Sequence, residues 1–328
     1  MKKSIVAGLL CGVMLTTAGC GDKTEDVSVL EKEPVAGAAE PTQSTEVTAQ
    51  STETATQETT ETVANTDASG EDLYEAFKKG AAKAKYRGTG DRTSYLETSA
   101  VLEVGQSYTV EEIAEELKTV EEYKDLVTSV NAEYSMIDCG QDGVQEMLVE
   151  ATLGDEFMLY MIIKEVDGEL VICFDQDVWS RTYVVVNPDG TIESGGSGGA
   201  AIHYADYSFV DATGEYKYYY GIEETLTLYD DYYAYKTGED YVAISAEGLD
   251  AEHIGIRDYY FEPDYKQRTN YYTYFMFDDN GMDVTTDADY DDSNELKKRF
   301  TEVGIQVYTM ADINQMLLDR AKEIGYSK

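Results

Sequence analysis

The sequence has few of the residues that build common active sites. Its two histidines, His203 and His253, leave few routes to imidazole catalysis. Of its four cysteines, only Cys139 and Cys173 lie beyond the N-terminal leader, and their spacing matches no zinc pattern. We predict two free, partly buried thiols there, with a single disulfide as the alternative.

Cations are scarce as well. The chain has 25 Lys+Arg against 65 Asp+Glu, which gives a formal net charge of -40. Because such a surface repels phosphate backbones, the composition argues against nucleic acid as a partner. It is typical of a soluble, self-repelling surface or of one that gathers cations.

The N-terminus is typical of a secretory leader. A positive start at 1–3 precedes an apolar run at 5–15, which is shorter than the about 20 residues of a membrane-spanning helix. The sequence Thr-Ala-Gly-Cys at 17–20 resembles the lipobox of bacterial lipoproteins. That resemblance implies a signal peptide over 1–19 and a lipid on Cys20, with an ordinary cleavage site as the alternative. It also implies a location at the extracellular face of the cytoplasmic membrane or on the cell surface.

Residues 20–70 contain no aromatic residue and are rich in Thr, Glu and Ala. Such a segment cannot bury enough apolar surface to offset the entropy of ordering it. We therefore predict a disordered tether over 20–70, followed by a single domain over 71–328.

Within that domain we predict an α+β fold. Helices are expected over 71–131 and 293–328, and a β region over 134–290. The predicted architecture is an antiparallel β meander flanked by N-terminal and C-terminal helices that pack on one sheet system.

Two local patterns carry this fold prediction. A capping box at Thr109 and Glu112 leads into an apolar face that favours one near-continuous helix over 109–131, with two short helices as the alternative. In the β region, Asp-Gly at 167–168 separates alternating runs at 157–166 and 169–174, which is a two-residue hairpin pattern. Further turn sequences lie at 187–190, 212–214 and 278–281.

An acidic loop marks the change from helices to strands. Asp138, Asp142 and Glu146 occupy positions 1, 5 and 9 of a calcium-type loop. However, Gly140 takes the place of the third-position acid, and Val149 that of the twelfth-position glutamate. We predict an acidic hairpin turn, with a weak Ca²⁺ site at the three carboxylates as the alternative and no other cofactor.

The same stretch carries a family resemblance. Met-Ile-Asp at 136–138, Asp-Gly at 142–143 and Glu-Met-Leu-Val at 146–149 resemble the I-D-x-x-x-D-G-x-x-E-L-L-V hairpin of uncharacterised bacterial surface lipoproteins. In that group the hairpin follows helices and precedes a tyrosine-rich β region, as expected here for most of 71–328. The resemblance implies a fold and a cell-surface location, and it implies no reaction.

Ser197 lies in Gly-Gly-Ser-Gly-Gly at 195–199, which matches the G-x-S-x-G pattern of serine hydrolases. That motif requires a buried strand before the serine and a helix after it. Here a turn sequence precedes the motif and a strand-like segment follows it. We predict a flexible hairpin loop rather than a nucleophile.

Tyrosine is the strongest compositional bias, since 18 of 28 lie within 204–290. Alternation along a strand places several of them on shared faces. The predicted ligand-binding residues are Tyr216, Tyr218 and Tyr220 on one face and Tyr272 and Tyr274 on another. An exposed tyrosine offers an apolar ring with a polar tip, which suits a binding surface. The alternative is that tyrosine serves here as a strand former at the edge of a thin core.

Taken together, these features predict a lipid-anchored extracellular binding or interaction protein without catalytic activity. Its ligand is expected to be a glycan or a protein. One alternative is a glycan-directed hydrolase with a carboxylate pair about 5–9 Å apart across a cleft. Another is a purely structural cell-envelope lipoprotein.

Overall fold

The computed structural model describes most of the chain after residue 71. The described ranges are 72–88, 98–228, 230–237, 240–264 and 266–326. They belong to one compact unit, Asp67–Lys328. The predicted signal peptide, Cys20 and the predicted tether lie outside the described residues.

Six strands form the first sheet. They are β1 (Ala84–Tyr86), β2 (Ser107–Tyr108), β3 (Asn131–Ile137), β4 (Glu146–Thr152), β5 (Phe157–Val166) and β6 (Glu169–Trp179). Their order is β2-β1-β6-β5-β4-β3, with β1 parallel to β6 and every other neighbouring pair antiparallel. The hairpin predicted at Asp167 and Gly168 is confirmed. Both residues have positive φ, 53° and 81°, as a type I′ turn requires.

The N-terminal helices are shorter than predicted. Three of them, α1 (Leu73–Lys78), α2 (Thr98–Val101) and α3 (Val110–Leu117), pack against one face of the first sheet. The capping box of Thr109 and Glu112 is confirmed. The near-continuous helix over 109–131 is wrong, because α3 ends at Leu117 and β3 already begins at Asn131.

Local contacts explain this early end. The Thr119 hydroxyl donates to the carbonyl of Glu116 at 2.7 Å instead of capping a second helix. Further along, the Thr128 N–H donates to the Leu153 carbonyl at 2.8 Å, which draws the chain toward the sheet. Pairing with β4 therefore overrides the helical pattern of the sequence.

The remaining strands form a second sheet and a separate hairpin. In chain order they are β7 (Thr182–Val186), β8 (Thr191–Ser197), β9 (Ile202–Val210), β10 (Tyr216–Thr225), β11 (Tyr232–Thr237), β12 (Asp240–Ile244), β13 (Ile254–Tyr260) and β14 (Tyr271–Met276). The second sheet has the order β14-β13-β10-β9-β8-β7, and β11 pairs with β12. The predicted single sheet system is thus corrected to two six-stranded sheets and a hairpin.

Two helices follow the strands, as predicted. They are α4 (Glu295–Glu302) and α5 (Met310–Ile324). Asn294 caps α4, and a capping box of Thr309 and Asp312 begins α5. The mixed α+β class, dominated by antiparallel strands, is therefore confirmed. Among the described residues, no helix has both the length and the apolar composition needed to cross a bilayer.

Three apolar clusters hold these elements together. The first lies between the N-terminal helices and the first sheet, and the second lies between the two sheets. The third joins β13 and β14 to the hairpin and α4. Cys139 and Cys173 belong to the second cluster as buried, free thiols.

Candidate binding surface

The β11–β12 hairpin presents an aromatic face to solvent. Among the described strands, β11 and β12 pair only with each other, with Tyr233 opposite Ala243 and Tyr235 opposite Tyr241. Tyr233, Tyr235 and Tyr241 are 58%, 42% and 58% exposed. We call these three residues the tyrosine surface.

The other face of the hairpin is fixed in the third core cluster. Ala234 and Ile244 are buried there. The Tyr272 hydroxyl accepts a hydrogen bond from the Tyr235 N–H at 2.7 Å and donates to the Tyr235 carbonyl at 3.1 Å. Beyond β12, Arg299 donates to two backbone carbonyls of the outgoing chain, at 2.5 and 2.8 Å. The hairpin is thus held before any ligand arrives, which lowers the entropy cost of binding.

The exposed rings contact one another. The Tyr241 ring lies 5.8 Å from the Tyr233 ring and 6.2 Å from the Tyr235 ring, edge to face in both pairs. Our sequence reasoning did not select these residues. A signal was present, because alternating tyrosines flank the turn sequence Lys-Thr-Gly-Glu at 236–239.

The prediction of a ligand-binding surface is wrong for three of the five tyrosines, because Tyr218, Tyr272 and Tyr274 are buried. Their hydroxyls find partners inside the molecule. Tyr218 donates to Asp206 Oδ1 at 2.6 Å, and Tyr274 donates to the Asp289 carbonyl at 2.5 Å. These tyrosines are core residues whose polar tips are satisfied internally.

The other two, Tyr216 and Tyr220, are half-buried in ring stacks. Tyr216 stacks on Phe174 at 6.0 Å, and Tyr220 stacks on Tyr207 at 4.6 Å. The predicted shared face of the β10 tyrosines is wrong for Tyr220. A β-bulge between Tyr218 and Tyr220 shifts the register of β10 on β9, and a bulge reverses the alternation of side chains.

The acidic loop is a structural turn in the structure. Asp138 accepts the Gly143 N–H at 3.1 Å, and Asp142 accepts the Val144 N–H at 2.8 Å. Among the residues that the structure describes, no group of three His, Cys, Asp or Glu side chains is placed to hold a metal ion. In this arrangement Asp138, Asp142 and Glu146 do not form such a group.

Glu146 instead makes a buried ion pair. Its carboxylate is fully buried, pairs with the Lys164 ammonium and accepts the Cys139 N–H at 2.8 Å. Burial acts to lower the pKa of Lys164, but the hydrogen bond and charge of Glu146 outweigh it, and the pKa is raised overall. The loop also docks on the β7–β8 turn, where the Asp138 N–H donates to the Pro188 carbonyl at 2.8 Å.

A second group of carboxyls lies on one face of the second sheet. Glu223 on β10 is directly opposite Asp258 on β13, and Asp206 is opposite Gly221. Burial is the main cause that raises the pKa of all three carboxyls, that of Asp258 to about 7. The Arg268 guanidinium, which stacks 3.6 Å from the centre of the Tyr260 ring, opposes this effect.

A carboxyl with a raised pKa can act as a general acid, provided that substrate reaches it. Asp258 is only 4% exposed, and its Oδ2 accepts the Asn270 amide at 2.5 Å. Glu223 stands beside it on the adjacent strand. These carboxyls therefore lie side by side on a packed sheet face, not opposite each other across a cleft.

Ser197 ends β8, so the predicted flexible loop is wrong for residues 195–197. The register places Ser197 beside His203, and His203 beside Glu224. The three are not linked by hydrogen bonds. The Ser197 hydroxyl donates to the Gly199 carbonyl at 2.5 Å, and Glu224 accepts from Arg257 Nε at 2.6 Å. The serine is thus not hydrogen-bonded to a general base.

Comparison of the chain with protein-family models, with curated proteins and with solved structures finds no match.

Proposed function

We propose that this chain is a non-catalytic binding protein that contacts a protein partner through the tyrosine surface. We further propose that a lipid on Cys20 holds it at the extracellular face of the cytoplasmic membrane. The observation that carries the proposal is the exposure of three tyrosine rings on a strand pair whose other face is fixed in a core. Rigid, exposed aromatic rings are typical of the residues that dominate binding energy in protein interfaces.

The tyrosine surface supplies an aromatic centre for such an interface, and neighbouring residues must supply the rest of its area. An aromatic side chain buries about 150–250 Å² when fully covered, and the exposed fractions of the three tyrosines are 58%, 42% and 58%, so together they supply roughly 240–400 Å². A standard interface takes about 800 Å² on each partner. Lys236 and Asp240, which are exposed beside the rings, supply a polar rim. A net charge of -40 favours a basic partner and speeds its approach.

The packing of the acidic residues supports a binding role over hydrolysis. A glycan hydrolase needs two carboxyls that flank the scissile bond. Here Glu223 and Asp258 are neighbours on one sheet face, and Asp258 is covered. Glu146, the most buried acid of the predicted loop, is engaged by Lys164.

Saturable binding of the labelled protein to envelope fragments from the cells that produce it tests the proposal. The test variant replaces Tyr233, Tyr235 and Tyr241 with serine. We expect at least a ~10-fold loss of affinity, because exposed aromatic anchors carry most of the energy of such interfaces. The matched control is Leu318→Ser, which alters an exposed apolar residue on α5.

Two treatments of the fragments identify the class of partner. Protease should abolish binding, and periodate should leave it intact. The reverse result would replace the protein partner with a glycan. Equal binding by the triple variant and the wild type would remove the tyrosine surface from the proposal, and absence of saturable binding would contradict a binding role.

A further inference from the structure

A cleft of about 520 Å³ lies between the end of β14, the segment that leads into β13 and the start of α4. This volume falls within the range of about 300–1,000 Å³ that is typical of small-ligand sites. None of the residues of the tyrosine surface lines it. The cleft is therefore a separate feature of the molecule.

The floor of the cleft is apolar. Ile254 and Leu296 are buried beneath it, and Met276 and Phe277 are half-buried in its walls. Val284 lies at the mouth and is exposed. The cleft thus leaves apolar surface in contact with water, and covering that surface is favourable.

The mouth of the cleft is acidic. Four carboxyl residues, Asp250, Asp278, Asp279 and Glu295, line it together with one imidazole, His253. His253 Nδ1 lies 3.1 Å from both Asp250 oxygens, and Nε2 lies 3.1 Å from Asp279 Oδ1. The hydrogen bond to Asp250 is the main cause that raises the pKa of His253, and Asp279 adds to it.

Negative charge remains in excess even when the imidazole is protonated. Hydrogen bonds from the Met282 N–H and from Asn280 hold the pKa of Asp278 below its usual value, so this carboxyl stays ionised near neutral pH. Arg299 pairs with Glu295, its Nε lying 3.4 Å from Glu295 Oε1, and one imidazolium cannot neutralise the three carboxylates that remain. A ligand that carries positive charge would reduce their mutual repulsion.

We propose that this cleft binds a small organic cation, namely a protonated amine carried on an apolar body. The apolar floor covers the body, and the carboxylates at the mouth hold the ammonium group. The apolar floor distinguishes this ligand from a bare cation, which has no body to cover it. The large negative charge of the chain also concentrates cations near the mouth.

Titration of the full-length chain with benzylamine by calorimetry and ligand-observed NMR tests this proposal. Two further probes test the apolar and the charged requirement separately. Benzyl alcohol keeps the ring without the charge, and methylamine keeps the charge without the ring. We expect a dissociation constant on the order of millimolar for benzylamine, as for a ligand of this size. Both other probes should bind at least ~5-fold more weakly.

Two variants locate the binding in the cleft. Leu249→Trp fills the cleft and should abolish benzylamine binding, whereas Asp279→Asn removes one charge at the mouth and should weaken binding ~3-fold. Asp287→Asn removes an exposed carboxylate that does not line the cleft and should change nothing. Equal affinity for benzyl alcohol and benzylamine would overturn the proposal. Wild-type affinity in both Leu249→Trp and Asp279→Asn would also overturn it. A lack of benzylamine binding, even at concentrations far above millimolar, would do the same.

Discussion

Two buried carboxyls, Glu146 in the first sheet and Asp258 in the second, are held in different ways. In the first sheet, the buried Glu146 carboxylate has an ammonium partner, Lys164, and a backbone N–H donor at 2.8 Å. In the second sheet, the buried Asp258 carboxyl accepts the Asn270 amide on Oδ2 and lies near the Tyr272 hydroxyl, and among the described residues its Oδ1 has no hydrogen bond of normal geometry. The Glu146 carboxylate is thus matched by an opposite charge, whereas burial is the main influence on the pKa of Asp258.

This difference predicts that the two carboxyls contribute to the free energy of unfolding in different ways. A matched ion pair is costly to break but is insensitive to pH near neutrality. A carboxyl whose pKa is raised by burial makes stability depend on pH. We therefore expect the free energy of unfolding to depend on pH through Asp258.

The largest expected effect comes from Glu146→Gln. This change leaves the Lys164 ammonium buried without a counter-charge, so we expect a loss of about 3–5 kcal/mol in the free energy of unfolding. Urea denaturation measures it. Glu156→Gln, at an exposed position, should stay within about 0.5 kcal/mol of the wild type. A loss below about 1 kcal/mol in Glu146→Gln would show that the ion pair is not buried as described.

The next largest effect is a dependence of the free energy of unfolding on pH, which Asp258→Asn should remove. The pKa of Asp258 is about 7 in the folded chain and about 3.9 in an unfolded one. The folded state therefore holds the proton more tightly. This contribution to stability is fully present below about pH 4 and is lost as pH rises through about 7.

The measurement is the difference in unfolding free energy between wild type and Asp258→Asn across that pH range. Asparagine keeps an acceptor for Asn270 and cannot ionise. Relative to the variant, the wild type should lose up to about 4 kcal/mol between pH 4 and pH 8. A difference that stays constant with pH would contradict the burial of Asp258.

A smaller effect should follow from Gly140→Ala in the acidic loop. Gly140 has a φ of 76°, and an added Cβ would lie 2.6 Å from the Ala212 backbone nitrogen. Gly143 also has positive φ, 83°, but a Cβ there meets nothing within 4 Å. Both changes cost about 1 kcal/mol in backbone strain, and Gly140→Ala should cost about 1–2 kcal/mol more. Equal losses by denaturation would show that the loop does not pack against the β9–β10 turn, which contains Ala212.

The smallest effects separate the two kinds of tyrosine. Tyr272→Phe removes the hydroxyl that bonds to both backbone groups of Tyr235, so we expect a loss of about 1–2 kcal/mol. Tyr233→Phe removes a solvent-exposed hydroxyl and should change stability by less than about 0.5 kcal/mol. Thermal unfolding of the two variants makes the comparison. Equal changes would contradict the assignment of Tyr272 to the core.

Local signals in the sequence predicted the parts of the fold that local chemistry determines. Asp167-Gly168 specifies its turn through positive φ, and Thr309 with Asp312 specifies a helix start through a capping box. The end of α3 could not be predicted, because it depends on pairing with β4. The ion pair could not be predicted either, because Lys164 lies 18 residues from Glu146 in sequence and meets it only through the strand register.

The sequence predicted a tyrosine-rich binding surface but not its position in the fold. The richness in tyrosine within 204–290 indicated a binding surface, and alternation then suggested β10 and β14. The β-bulge after Tyr218 moves Tyr220 off the face that Tyr216 and Tyr218 share. On β14, Tyr272 and Tyr274 are buried in the third core cluster. Whether a strand face points to a core or to water depends on what packs over it, and α4 and the hairpin supply that cover.

Tyrosine footprinting by limited nitration, mapped by mass spectrometry with and without envelope fragments, tests the central claim most directly. Among the tyrosines that the structure describes, we expect Tyr233 and Tyr241 to react first and Tyr272 and Tyr274 to react last, and we expect the fragments to protect Tyr233 and Tyr241. Reaction of Tyr272 or Tyr274 as fast as Tyr241, or fragments that bind without protecting the hairpin, would contradict the account.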